Sequence, residues 1–141
     1  MESYSQSGAK RPSVNRVVVD ASAILAVINR EPGQDKLTVA LLAHAVASTV
    51  NLAEVHAKLV SRGWPPDEAW EDATSAIGEA VAFNEQQAKI SGNLVTQTRH
   101  LGLSLGDRAC LALGLALKAP VFTAERTWKK LKLDIPIHVI R

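Results

Sequence analysis

The sequence predicts an α/β fold, a parallel sheet with helices packed on both faces. Short β-branched or apolar runs alternate with helical segments from one end of the chain to the other. The first of these runs, RVVVD (residues 16–20), lacks the polar alternation of a strand with one wet face, so it suits a strand buried on both sides. The 141 residues, 47% hydrophobic and 21% charged, suffice for one domain with a core and match a globular chain rather than a disordered one.

Each element has its own local reason. Residues 1–14 are polar, Ser-rich and aperiodic, and read as a flexible or appended tail, leaving 15–141 as the folded domain. RVVVD ends at Asp20, and ASAILAVINR follows as a helix stopped near Pro32 and Gly33. A second helix, roughly Gln34 to His44, leads to a strand at AVAST. In TVNLAEVHAKLVSRG, Leu52, Val55, Leu59 and Val60 fall at helical spacing and Gly63 terminates. PPDEAWEDATSAIGEA opens with prolines and acids, as helices do. VAFN is a minimal strand, and EQQAKISGNLVTQTRHLG a helix ending at Gly102. SLGDRACLALGLALKA (residues 104–119) is an apolar helix, APVFTA a strand, ERTWKKLKL a short helix and IPIHVI the last strand.

Composition removes several classes of function. No run approaches the ~18 apolar residues of a membrane span, and the N-terminus has no apolar h-region. One cysteine, Cys110, makes neither an internal disulfide nor a cysteine metal site, and its apolar surroundings mark it as a small buried hydrophobe. A cytoplasmic protein without membrane association is therefore expected. No GxGxxG, GxxxxGK[ST] or GxSxG occurs, and His44, His56, His100 and His138 are scattered without metal-ligand spacing. The net charge of +2 is compatible with nucleic acid, and Arg126, Lys129, Lys130, Lys132 and Arg141 give the C-terminal segment a basic character. Trp128 is placed to pack in the core, or to stack on a base beside Lys129 and Lys130. Trp64 and Trp70, flanking the double proline, suit helix packing or partner contacts.

Sites in an open parallel sheet form beyond the carboxyl ends of the strands, where the strand order reverses. Asp20 ends the first strand, Glu125 follows the PVFT strand, Asp107 opens its helix, and Glu54 lies within the first two turns of its own. Each also has an ordinary structural role. Asp20 can cap a helix, and Glu54 can pair with Lys58 four residues on. Ser104 with Asp107 fits a capping box, and Glu125 can serve as a first-turn acid. What argues for chemistry is that all four come from separate segments and meet at the functional edge. Carboxylates without His or Cys partners suit hard cations with oxygen ligands, Mg²⁺ or Mn²⁺ rather than zinc. Such an ion would relieve their repulsion, activate a water and neutralise charge on a phosphodiester. Ser22, two residues past Asp20, is placed to support it by hydrogen bonding.

VVVDASA, VNLAEVHAKL, LSLGDRACLALG and PVFTAERTW occur in an order and spacing that resembles the PIN-domain ribonucleases, and among them the VapC toxins of bacterial type II toxin–antitoxin systems. The resemblance runs from about Val17 to Ile140. It implies a compact α/β/α domain with a parallel sheet of about five strands, and a Mg²⁺- or Mn²⁺-dependent endoribonuclease. Carried over by position, the acidic quartet is Asp20, Glu54, Asp107 and Glu125, holding the metal. Glu125 departs from the family pattern, in which the acid of TADRxW is aspartate. The resemblance also implies homodimers and inhibition by a cognate antitoxin protein. Arg108, Arg126, Lys129 and Lys130 are the nearest basic residues in sequence and are candidates for positioning the RNA backbone. Two rival readings follow from the same residues: a non-catalytic partner-binding module of this fold, and a carboxylate–metal phosphatase. Phosphatases of the aspartyl-phosphate type need a second aspartate at D-x-D, where this chain has Ser22.

Overall fold

The computed structural model describes residues 15–141, so the tail expected at residues 1–14 lies outside the described residues. The strands are β1 (Val17–Val19), β2 (Ala45–Ser48), β3 (Glu79–Val81), β4 (Val121–Thr123) and β5 (Ile137–Val139). They form one sheet in the order β3-β2-β1-β4-β5. Every pairing is parallel, with Val18 opposite both Val46 and Val121. The chain thus steps outward from β1 to β3, then returns to β4 on the other side of β1. The reversal falls between β1 and β4, which places a crevice at their carboxyl ends.

The expectation of helices on both faces is met by the period-2 alternation of the strands. Val19, Ala45, Ala47 and Phe122 face one side, where they pack with Ala23, Ile24, Leu52, Val55 and Leu59. Val18, Val46 and Val121 face the other and pack with Cys110, Leu111, Leu113 and Trp128. The first face is covered by α1 (Ala21–Ile28), α3 (Thr49–Ser61) and α4 (Pro66–Ser75). The second is covered chiefly by α7 (Leu105–Leu117), which lies against α5 (Glu85–Asn93). Trp128 is buried among these residues, so core packing rather than base stacking is its position.

Four segments differ from the sequence expectation. The helix expected over Gln34–His44 is a 3₁₀ turn (Gln34–Lys36) and one turn of helix, α2 (Val39–Leu42). Thr38 separates the two by acting as an N-cap, its Oγ1 accepting from Leu41 N at 3.1 Å. The segment EQQAKISGNLVTQTRHLG breaks after Asn93 into α5, α6 (Val95–Thr98) and a 3₁₀ turn (Arg99–Leu101) ending at left-handed Gly102. Gly92, Asn93 and the β-branched Val95, Thr96 and Thr98 are weak helix formers, and Thr98 Oγ1 donates back to Leu94 O at 2.9 Å. ERTWKKLKL is a 3₁₀ helix (Arg126–Lys130) followed by extended chain. Beyond it Leu131, Leu133 and Ile135 pack inward while Lys132 and Asp134 are exposed, a period of two that belongs to extended backbone. The strand expected at VAFN begins two residues earlier, because Asn84 caps α5 instead, its Oδ1 accepting from Gln87 N at 2.9 Å. Among the described residues no helix is long and apolar enough to cross a membrane.

Candidate active site

Asp20 sits at the crevice, directly after β1, and is 3% exposed. Its carboxylate caps α1 by accepting from Ala23 N at 2.8 Å. It also accepts from the Ser22 hydroxyl at 2.8 and 3.0 Å, and from Thr123 Oγ1 at 2.6 Å. Each hydroxyl, having given its proton to Asp20, accepts from the turn after β4: Ala124 N reaches Ser22 Oγ at 2.9 Å and Glu125 N reaches Thr123 Oγ1 at 3.0 Å. The turn that launches Glu125 is therefore tied to Asp20 through two hydroxyl relays. Burial raises the Asp20 pKa to about 6, against the hydrogen bonds from Thr123, Ala23 and Ser22 that lower it; the Asp107 charge raises it further.

The second acid, Glu54, lies on the exposed side of α3, whose inner face is Asn51, Leu52, Val55 and Leu59. Asn51 Nδ2 donates to Glu54 Oε1 at 2.9 Å and to the Gly106 carbonyl at 3.0 Å, joining α3 to the start of α7. A Cβ at Gly106 would run into the Glu54 carboxylate, so glycine there is what lets that carboxylate sit against the start of α7. Asp107, one residue on, forms the expected capping box, with Ser104 N donating to its Oδ2 at 2.9 Å and its own N donating to Ser104 Oγ at 3.2 Å. One turn further in, the buried Cys110 thiol is pushed well up in pKa, first by burial and then by Asp20, Asp107 and Glu54. Three carboxylates from three elements thus act on one thiol.

A cavity of about 230 Å³ is lined by Asp20, Ser22, Glu54, Lys58, Asp107 and Glu125. All four acids of the sequence reading therefore face one space. Their donor set, oxygen only, suits a hard divalent cation. Among the described residues, however, no three His, Cys, Asp or Glu side chains stand close enough to hold one ion. Glu125 is exposed and its carboxylate makes no hydrogen bond among the described residues, whereas Glu54 is held by Asn51.

The basic candidates do not line this cavity. Arg108 turns toward α5, where its Nη1 donates to Ser91 O at 3.1 Å. Arg126, Lys129 and Lys130 are exposed around the 3₁₀ helix after β4, and Arg126 borders a separate shallow cavity with Glu125 and Arg141. Lys58, first read as a partner for Glu54, lines the acidic cavity without forming an ion pair within 4 Å among the described residues. Asn51, Thr123 and Gly106 are further participants that the sequence reading did not single out. Asn51 carries a detectable signal, a polar residue on the buried face of an amphipathic helix one turn before Glu54.

A strand-order reversal flanked by four acids, on a wholly parallel sheet, defines an α/β protein with a carboxylate-lined crevice. The PIN domain model matches residues 17–133, and the chain belongs to the PIN domain family. Its fold is also that of several solved structures. VapBC from Salmonella typhimurium bound to DNA superimposes with a TM-score of 0.68 at 14% identity, covering 89% of this chain and 98% of that one. VapBC2 from Rickettsia felis, bound to a promoter DNA fragment, gives 0.67 at 19%, covering 89% and 98%. VapC20 from Mycobacterium tuberculosis, described as a Sarcin-Ricin loop cleaving toxin, gives 0.66 at 12%, covering 85% and 98%. No curated protein matches the chain in sequence.

Proposed function

We propose that the protein is a Mg²⁺- or Mn²⁺-dependent endoribonuclease, the toxin of a toxin–antitoxin pair, acting in the cytoplasm as a homodimer and neutralised by a cognate antitoxin protein. The observation that carries this reading is the convergence of Asp20, Glu54, Asp107 and Glu125 on one cavity at the strand-order reversal of a PIN domain. The likeness to VapBC complexes supports the antitoxin partner, and the likeness to a Sarcin-Ricin loop cleaving toxin supports RNA as substrate.

Asp20, Asp107 and Glu54 would hold the divalent ion, with Glu125 reaching it through its longer side chain. Bound there, the ion would supply charge neutralisation at the scissile phosphodiester and a more acidic water for in-line attack. The chain's own residues do the rest. Ser22, Thr123 and Ala23 N fix both oxygens of Asp20, so that its orientation costs nothing at the moment of reaction. Asn51 holds Glu54 against the start of α7. Glu125 and Asp107 border the open side, where a carboxylate can take the proton released by the attacking water.

The test is cleavage of RNA by purified protein with Mg²⁺ or Mn²⁺, compared with Asp20→Asn and Asp107→Asn. Both variants are expected to lose cleavage, and full metal-dependent activity in both would refute the assignment. One observation favours the non-catalytic alternative, a partner-binding module, namely the separation of the acids. That alternative expects no cleavage by the wild-type protein at any metal concentration. The phosphatase alternative is disfavoured, since the D-x-D position is Ser22 and its hydroxyl is committed to Asp20 and Ala124 N.

A further inference from the structure

Among the described residues, Lys58 is the one cationic side chain lining the acidic cavity, where the other charged groups are Asp20, Glu54, Asp107 and Glu125. It follows Glu54 by one turn of α3, so both project on the same exposed side of that helix. Despite that spacing, Lys58 makes no ion pair within 4 Å among the described residues. Its ammonium therefore stands beside the acids without being neutralised by one of them. Even with a divalent cation in place, four carboxylates leave the cleft negative, which opposes entry of an anionic RNA backbone. Arg108 is engaged with Ser91 O, and Arg126 borders another cavity, so neither offsets this charge inside the cleft.

We propose that Lys58 is the substrate-positioning residue of the cleft, its ammonium binding a non-bridging oxygen of the phosphodiester presented to the acids. This rests on the ribonuclease reading above and deepens it. An ammonium on a flexible stem acts as a point charge toward phosphate, so it reads backbone and not base. Lys58 thus sets affinity uniformly across RNA sequences. It also adds positive charge beside the metal-binding acids, so it raises affinity for RNA while opposing binding of a cation. A residue of purely structural importance would move both affinities in the same direction.

The experiment compares the full chain with Lys58→Met and Lys58→Arg. Binding of a fluorescent 20-mer RNA is read by anisotropy in an Asp20→Asn background, which prevents turnover, across a salt series. Mn²⁺ binding is read by calorimetry on the proteins carrying Asp20. One single-strand phosphate contact contributes a slope of ~0.7 in log K against log salt, so its loss weakens binding roughly fivefold at about 0.1 M salt. Lys58→Met is expected to show that loss and that shallower slope, with equal or tighter Mn²⁺ binding, and Lys58→Arg to restore RNA affinity. Unchanged RNA affinity and slope in Lys58→Met would overturn the proposal, as would a parallel fall in Mn²⁺ affinity. Cleavage by the wild-type protein separates the two levels. If the wild type cleaves and Lys58→Met binds RNA normally, only the lysine assignment fails; if the wild type neither binds nor cleaves RNA, the ribonuclease reading fails with it.

Discussion

Replacing Asp20 with asparagine should make the metal-free protein more stable at neutral pH, while abolishing its activity. Asp20 is 3% exposed, and its carboxyl titrates near 6 in the folded state instead of 3.8. The folded state therefore binds this proton more tightly than the unfolded chain does. Stability from that source is fully present below pH 3.8 and is lost as the pH rises through about 6. At ~1.4 kcal/mol per pH unit the whole effect is about 3 kcal/mol, of which about 2 kcal/mol falls between roughly pH 4 and pH 7. Asparagine keeps the shape and does not ionise. Its Oδ1 can accept from Ala23 N, and its amide can donate to the Thr123 hydroxyl, at a cost of about 1 kcal/mol for one imperfect hydrogen bond. The measurement is urea denaturation of both proteins in chelator from about pH 4 to 8. The stability difference, variant minus wild type, should rise by about 2 kcal/mol over that range. A difference that is flat with pH would refute the account of Asp20 as a buried, charge-strained carboxylate, whatever the activity of the variant.

Mn²⁺ should reverse this order: at about a hundred times its Kd it should stabilise the wild type by ~2.7 kcal/mol, with Asp20→Asn and Asp107→Asn gaining far less, as read by thermal or urea unfolding. Gly106→Ala should leave stability nearly unchanged, because Glu54 can swing outward and alanine favours the helix. Its ribonuclease kcat should nonetheless fall by about 10²-fold through the displaced carboxylate, and an activity within twofold of wild type would contradict the placement of Glu54. Trp128→Ala should cost roughly 3–5 kcal/mol of stability, measured by denaturation, with RNA affinity of the folded fraction unchanged.

Much of the fold was legible because strands buried on both faces announce themselves, as Val17–Val19 does, and because α1, α3 and α7 begin at clear caps in Asp20, Ser48 and Ser104. The segments that misled, Gln34–His44 and residues 85–102, carry apolar residues at helical intervals but also interior caps and weak formers. Tertiary packing then decides where the helix stops. Leu131, Leu133 and Ile135 could have been read correctly, since they alternate with Lys132 and Asp134. At the site, the acids were visible as residues at strand ends and helix starts. Thr123 was not, and Asn51 showed only as a polar residue on a buried helix face, because their importance lies in what they meet across the fold: Thr123 reaches Asp20 over 103 residues, and Asn51 reaches Gly106 over 55. Adjacency in sequence does not bring a cation to the acids. Arg108 and Arg126 adjoin acids in the chain yet point elsewhere, while Lys58 reaches the cavity from the exposed face of α3.

The place of β4 beside β1 has a consequence for how the protein is made. The hydroxyl of Thr123 and the turn carrying Glu125 are made more than a hundred residues after β1. Until β4 is inserted along β1, Asp20 lacks the donors that fix it and the cavity lacks one wall. A chain in which β4 has not yet been made therefore lacks the complete acidic cavity. On the ribonuclease reading proposed above, the topology delays assembly of the site until β4 has been made.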